Sequence, residues 1–177
     1  MIETIYIEKE IEDNSKTIQI LRKFRNARKI SIDRYGEIFN RKNQNFRVQK
    51  INPSLILARK HKGFVLPTPV GFGIGDQKNF YFSHMYNCLY DCSYCFLQGM
   101  YSSANYLIFV NFDDFKKEIK QVMERNMGEN ISFFSGYDCD SVAMESVTNF
   151  INDFIPTFRG HENALIELRT KSVQTRI

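Results

Sequence analysis

The sequence predicts an α/β protein built on parallel strands, with a sheet that is too short to close into a barrel. Strand and helix patterns alternate from about residue 80 onward, as expected of parallel strands joined by crossover helices. Only about three such units fit into the chain, whereas a closed barrel of eight units needs about 250 residues. A basic segment precedes these units, and we expect it to form a small α/β lobe of its own.

The amino-terminal lobe is predicted to contain one short helix and two strands. The helix spans residues 15–27 and starts near Ser15, because the apolar residues Ile18, Leu21 and Phe24 recur at helical spacing. The strands are "RKISID" and "SLILARK". A loop at 65–80, with two Pro and three Gly, predicts a boundary between a lobe of residues 1–64 and a core of residues 65–177.

The core is predicted to alternate strands with two longer helices. The strand candidates are "FYFSHM", "ANYLIFV", "ISFFSG" and "ALIELRTKS". The first helix covers residues 111–126 and has an apolar face of Phe112, Phe115, Ile119, Val122 and Met123. The second helix covers residues 140–154, with Asp140 as its cap and Pro156 as its stop.

Charge is distributed unevenly along the chain. The net charge is only +4, but residues 16–62 carry fourteen Lys or Arg and two acids. Such a basic surface can follow a phosphate backbone, or it can be solvated without any polyanion. No apolar run is long enough for a membrane span, and the amino end shows no signal sequence. We therefore expect a cytoplasmic protein with reduced thiols.

Three of the four cysteines form a compact motif directly after a predicted strand. Cys88, Cys92 and Cys95 have the spacing C-x3-C-x2-C, which allows three thiolates to surround one soft metal centre. An iron–sulfur cluster held by three thiolates keeps one iron open for a ligand. Zinc is the alternative, with Cys139 or His84 as the fourth ligand, although structural zinc sites usually pair C-x2-C motifs. His84 is better explained as a packed strand residue.

This motif resembles the hallmark of the radical S-adenosylmethionine superfamily, including the aromatic Tyr94 before the last cysteine. Within that superfamily the chain is similar to the spore photoproduct lyases, or DNA repair photolyases. Three stretches carry the resemblance, in this order: "FYFSHMYNCLYDCSYCFLQGMY", "SGYDCDSVAME" and "ELRTKS". The resemblance covers roughly residues 65–172. It implies a partial (β/α) barrel that is incomplete in this chain, preceded by the small basic lobe.

The resemblance also implies the cofactors and the chemistry. A 4Fe–4S cluster would be held by Cys88, Cys92 and Cys95, and S-adenosylmethionine would chelate its open iron. Reductive cleavage of that cofactor would yield a 5′-deoxyadenosyl radical, which in the lyases abstracts hydrogen from a cross-linked thymine pair in DNA. The thymine–thymine carbon bond then breaks, which makes the reaction that of a carbon–carbon lyase.

Four further residues match functional positions of the family. The resemblance assigns hydrogen return to Cys139 and cofactor contacts to Ser141, Lys171 and Tyr94. Cys139 and Lys171 also follow predicted strands, and ligands gather beyond the carboxyl ends of parallel strands. The alternatives are a small buried residue for Cys139, a helix N-cap for Ser141 and a surface lysine for Lys171.

The chain departs from the family in two respects. The lyases have Tyr directly after the third cluster cysteine, a residue thought to relay hydrogen, but this chain has Phe96, which lacks a transferable O–H. Family members also continue well past the "RTKS" strand. The chain therefore resembles an amino-terminal half, and a carboxyl-terminal half encoded downstream would be its partner.

The sequence therefore leaves three functions open. The first is a radical S-adenosylmethionine lyase that acts on damaged DNA and takes electrons from a donor such as flavodoxin or ferredoxin. The second is a radical enzyme with another substrate. The third is a non-catalytic iron–sulfur or zinc module that binds nucleic acid.

Overall fold

The computed structural model describes residues 2–75 and 77–173, and these residues form two compact units. Unit one consists of Met1–Lys60 and Met85–Asn111, and unit two of His61–His84 and Phe112–Ile177. The predicted boundary between residues 64 and 65 differs from this division. The segment that carries the cysteine motif belongs to unit one, because the strands on either side of it lie in the same sheet as the amino-terminal strands.

Nine strands and six α-helices are present in the described residues. The strands are β1 (Thr4–Glu8), β2 (Arg28–Ile32), β3 (Leu55–Ala58), β4 (Leu66–Pro67), β5 (Lys78–Phe82), β6 (Met85–Tyr86), β7 (Tyr106–Phe109), β8 (Ile131–Ser135) and β9 (Ala164–Leu168). The α-helices are α1 (Ser15–Leu21), α2 (Gly36–Phe39), α3 (Phe46–Ile51), α4 (Phe112–Arg125), α5 (Glu145–Thr148) and α6 (Phe150–Phe154). Two short 3₁₀ turns cover Lys9–Ile11 and Ile155–Phe158.

Unit one is built on a five-stranded sheet of order β2-β1-β3-β7-β6. Four of its strands run parallel, and only the short β6 is antiparallel to its neighbour β7. Every residue of β3 and β7 is buried, as expected for central parallel strands with both faces covered. The predicted α/β arrangement is confirmed here, although β1, α2 and α3 were not predicted.

The first predicted helix is shorter than expected and buries a different face. Helix α1 begins after Asn14, whose side chain accepts a hydrogen bond from the backbone N–H of Lys16 (2.9 Å), and it ends at Leu21. Thr17 and Ile20 are buried, whereas Ile18 is exposed. Beyond Leu21 the backbone forms tight turns that lead into β2, so the apolar spacing past that point belongs to a turn.

Unit two contains a four-stranded sheet of order β4-β5-β8-β9. Strands β5, β8 and β9 are parallel, and the two-residue β4 is antiparallel to β5. Helix α4 buries all five residues of the predicted apolar face, so this prediction is confirmed. Within the described residues β9 pairs only with β8, and it forms the edge of the sheet.

The second predicted helix is broken into shorter pieces. Residues 141–144 form turns, α5 and α6 follow, and Asn149 between them has a left-handed backbone (φ +53°). Asparagine tolerates this conformation better than most residues. Asp140 and Ser141 do not cap a helix, because α5 begins only at Glu145. None of the helices in the described ranges is both long enough and apolar enough to cross a membrane.

Candidate cluster-binding loop and strand-end site

The three clustered cysteines lie on one loop of unit one, between β6 and β7. Cys88, Cys92 and Cys95 are half-buried, and none of the four cysteines, all of which the structure describes, is in a disulfide. Tight turns shape the loop. The backbone N–H of Cys95 donates to the carbonyl of Cys92 (3.0 Å), and the N–H of Tyr90 donates to the sulfur of Cys88 (3.4 Å). The three cysteines of the predicted motif therefore sit on one short segment of the loop.

Two residues that sequence reasoning missed hold the base of this loop. Asn87 is buried with a left-handed backbone (φ +65°), and its side-chain amide donates to the carbonyls of Ser103 (2.7 Å) and Asn105 (2.8 Å). Lys50 of α3 donates from Nζ to the carbonyl of Cys88 (3.1 Å). An asparagine directly before the first cysteine was the available signal, whereas nothing local marked Lys50.

The thiols of the loop are suitable ligands for a soft metal, but the described side chains are not arranged as a metal site. Three thiols with the C-x3-C-x2-C spacing can hold iron or zinc once they are deprotonated. The described residues contain no group of three or more His, Cys, Asp or Glu side chains arranged as metal ligands. Metal binding commonly completes the folding of its own site.

Two aromatic residues of the motif are exposed. Tyr94 has 78% of its surface exposed, and Phe96 has 64%. Tyr106, at the start of β7, is buried, and its pKa is raised first by this burial and then by the nearby negative charges of Cys88 and Asp91. Lys50 Nζ lies 6.0 Å from the Tyr106 ring centre. A cation thus lies close to the first cysteine of the motif.

A second candidate site lies in unit two, in the loop that leaves β8. Gly136 has a left-handed backbone (φ +71°), and a Cβ placed there would lie 2.7 Å from Ser141 Oγ and 2.8 Å from Ser141 N. Only glycine avoids this clash. The loop can therefore fold back sharply and bring Cys139 and Ser141 to the carboxyl end of the sheet.

Ser141 connects the ends of β8 and β9. Its hydroxyl donates to the carbonyl of Ser135 (2.9 Å) and accepts from the N–H of Arg169 (3.1 Å). Its own N–H donates to the carbonyl of Arg169 (3.0 Å). Because the side chain is buried and already bonded, its observed contacts are structural. The predicted cofactor contact stays a prediction.

Asp140 fixes the segment that carries Lys171. Its carboxylate accepts from the backbone N–H of Lys171 (2.6 Å), from the hydroxyl of Thr170 (2.7 Å) and from the N–H of Val142 (3.0 Å). Sequence reasoning assigned Asp140 only a capping role. Lys171 itself is exposed, and Cys139 is buried. Unit two thus brings Cys139, Ser141 and Lys171 to the ends of two neighbouring strands, whereas Tyr94 and the other three cysteines belong to unit one.

His84 is a packed residue, as predicted. It is fully buried in unit two, stacked on Phe150 with ring centres 4.2 Å apart and set edge-on to Phe112. Neither of its ring nitrogens has a hydrogen-bond partner among the described residues. Burial lowers its pKa to about 3. An imidazole enclosed in this way cannot reach a metal unless it leaves the core.

Comparisons with known proteins find similarity in structure. No family model matches the chain, and no curated protein matches it significantly. A doubly substituted variant of spore photoproduct lyase with bound AdoMet and dinucleoside spore photoproduct matches with a TM-score of 0.77 and 14% identity, over 94% of this chain and 48% of that chain. The same lyase complexed with dinucleoside spore photoproduct, and a Tyr-to-Phe variant of it, each match with a TM-score of 0.75 at the same identity and coverage.

These matches confirm the predicted fold. The chain has the α/β fold of spore photoproduct lyase, and it spans about half the length of those solved structures. An identity of 14% shows the fold alone.

Proposed function

We propose that this chain, which has the fold of spore photoproduct lyase over 94% of its length, is a radical S-adenosylmethionine protein of the DNA-lesion lyase kind. One observation carries the proposal. A chain with this fold places C-x3-C-x2-C on a single loop, half-buried and free of disulfides. The backbone fold and the cysteine motif both favour the same chemistry.

The cysteine loop would hold the cofactors. Cys88, Cys92 and Cys95 would bind three irons of a 4Fe–4S cluster, and Lys50 would steady the loop through the carbonyl of Cys88. When bound, the cluster and S-adenosylmethionine would supply the electron and the 5′-deoxyadenosyl radical. The half-exposed thiols support this proposal, because a loop at the surface can rearrange around an incoming metal.

The strand-end site of unit two would act on the cofactor and the substrate. Cys139 would keep a thiol hydrogen away from water and return it as an atom to the product radical. Lys171, exposed and held through its backbone by Asp140, would pair its ammonium with the carboxylate of S-adenosylmethionine. Ser141 and Tyr94 would complete the cofactor contacts.

Thymine-dimer-type lesions in DNA are the substrate that we propose. Two observations support this choice: the solved lyases were captured with dinucleoside spore photoproduct, and residues 16–62 have a strong excess of positive charge. Because the chain spans about half of those proteins, we propose that further polypeptide, encoded downstream, supplies the rest of the lesion-binding surface. In the part of the chain that the structure describes, β9 pairs only with β8, so such a partner could extend the sheet at β9.

Phe96 favours one alternative, a radical reaction on another substrate. It occupies the position at which the lyases are expected to have a hydrogen-relaying Tyr, and its exposed ring has no O–H to give. Lesion turnover separates the two possibilities. The reconstituted chain, alone and with the complementary half of a lyase, is given an oligonucleotide that carries spore photoproduct together with reductant and S-adenosylmethionine. Repaired thymine supports the lesion lyase, whereas 5′-deoxyadenosine without repair under both conditions supports another substrate.

A further inference from the structure

An open cleft of about 700 Å³ lies in unit one between α3 and the cysteine loop. Helix α3 contributes Phe46, Arg47, Lys50 and Ile51, and the loop contributes Asp91 and Ser93 among others. Ile51 has 85% of its surface exposed, and the neighbouring Val48 has 61%. We call these α3 and loop residues the α3 face. It displays aliphatic side chains to solvent directly beside the cysteine motif.

Helix α3 is held to the cysteine loop by hydrogen bonds. Lys50 Nζ donates to the carbonyl of Cys88 (3.1 Å) on the amino-terminal side of the loop. Gln49 Oε1 accepts from the N–H of Ala104 (2.9 Å), near the carboxyl-terminal end of the loop. A molecule seated on α3 is therefore held next to the three cysteines.

Charge complementarity limits what can bind at this face. Residues 41–51 carry four cations and no acid, and the loop at 86–100 carries Asp91 as its single charged residue. The cleft itself is lined by two cations, Arg47 and Lys50, against one acid, Asp91, and by the apolar side chains of Phe46 and Ile51. Aliphatic residues surrounded by polar or charged groups are typical of protein interfaces, whereas surfaces that bind DNA are more polar. The exposed Ile51 and Val48 thus favour an acidic protein over DNA.

We propose that the α3 face docks a small acidic protein that carries one electron at a time. This inference rests on the proposed function, which requires an electron at the cysteine loop. A carrier must bind close to the acceptor and leave again. Redox encounters of this kind bury little surface and depend on charge steering, which the cations of α3 supply.

Binding of a purified flavodoxin to the chain tests the proposal, measured by biolayer interferometry at low and at physiological salt. We expect saturable binding that weakens as salt rises. Arg47→Glu and Ile51→Glu should each weaken it at least tenfold, one through charge and the other through the apolar centre. Lys120→Glu makes the same charge change on an exposed part of α4 in unit two and should stay within twofold of wild type. Circular dichroism confirms that each variant is folded.

Two results would overturn the proposal. One is flavodoxin binding that Arg47→Glu and Ile51→Glu leave unchanged. The other is that flavodoxin does not bind, whereas a 20-base-pair DNA duplex binds and both variants weaken its binding. This result would make the α3 face a DNA-binding surface. Cleavage of S-adenosylmethionine driven by dithionite tests the proposed function separately. If the chain binds flavodoxin at the α3 face but does not cleave S-adenosylmethionine, the proposed function is refuted and the docking proposal still holds.

Discussion

Replacing His84 should make unit two more resistant to acid. The imidazole is fully buried against the rings of Phe150, Phe112 and Phe154, and in the described part of the chain neither nitrogen is hydrogen-bonded. Burial therefore lowers its pKa to about 3. In the unfolded chain the pKa returns to about 6.5.

The sign of the effect follows from proton binding. Between pH 6.5 and pH 3 the unfolded chain binds a proton at His84 that the folded chain does not bind. The free energy of unfolding therefore falls as the pH falls through this window, by about 1.4 kcal/mol per pH unit once the pH is well below 6.5. From pH 7 to pH 5 the loss assigned to His84 is about 2 kcal/mol.

Urea denaturation of the metal-free chain at pH 7 and pH 5 measures this loss. His84→Phe keeps a flat ring against Phe150 and removes the titrating group, so the stability difference between the two pH values should shrink by about 2 kcal/mol. His84→Leu repeats the test with a differently shaped side chain, in case Phe overpacks the core. His161→Gln, at an exposed position, is the matched control. An unchanged pH dependence in both His84 variants would refute the reasoning.

Three further predictions concern the loops and the basic lobe. Gly136→Ala should lower the free energy of unfolding, measured by urea denaturation, by roughly 2 kcal/mol more than Gly128→Ala does. Both glycines have positive φ, but of the two only Gly136 would bring a Cβ against another residue. Equal losses of stability would contradict the clash. Lys50→Met should lower the iron affinity of the reconstituted chain roughly tenfold, because it removes the hydrogen bond from Lys50 to the cysteine loop. The control variant Lys42→Met should leave the iron affinity unchanged. Equal iron retention in both variants would contradict this prediction. If the basic lobe follows DNA, log K should fall by about 0.9 per neutralised phosphate per decade of salt, and binding that does not depend on salt would exclude this role. The slope of log K against salt should become less steep when charge-neutral substitutions are made at Arg22, Lys23, Arg25, Arg28 and Lys29.

Elements with strong local periodicity could be predicted from the sequence. Helix α4 has its apolar residues at helical spacing over four turns, and the central strands are short apolar runs bounded by polar residues. In these segments the local pattern and the buried face coincide. Parallel pairing followed from the alternation of strands and helices.

Features that depend on distant partners could not be predicted. Strand β1 pairs with both β2 and β3, and nothing within residues 4–8 specifies either partner. Lys50 reaches a carbonyl 38 residues away, and Asp140 holds backbone 31 residues away. The division into units was missed for the same reason, because a strand pairing that is remote in sequence returns residues 85–111 to the amino-terminal sheet.

The candidate site residues also differ in whether they could be predicted from the sequence. The spacing of Cys88, Cys92 and Cys95 identified the loop without any tertiary information, because the motif is contiguous. Ser141 needed the structure, since its hydroxyl joins the ends of two strands and caps no helix. A contiguous motif can be found in a sequence, whereas a side chain that links two strands shows its role only once the strands are paired.

The central claim is that three thiolates hold a cluster with one open iron. Iron content and reductant-dependent release of 5′-deoxyadenosine, measured together after anaerobic reconstitution, test it most directly. We predict about four irons per chain in the wild-type protein. Cys139→Ala should retain that iron and the cofactor cleavage, whereas Ala at Cys88, Cys92 or Cys95 should lose both. Loss of iron in Cys139→Ala as complete as in the other three, or one zinc per chain without cofactor cleavage, would contradict it.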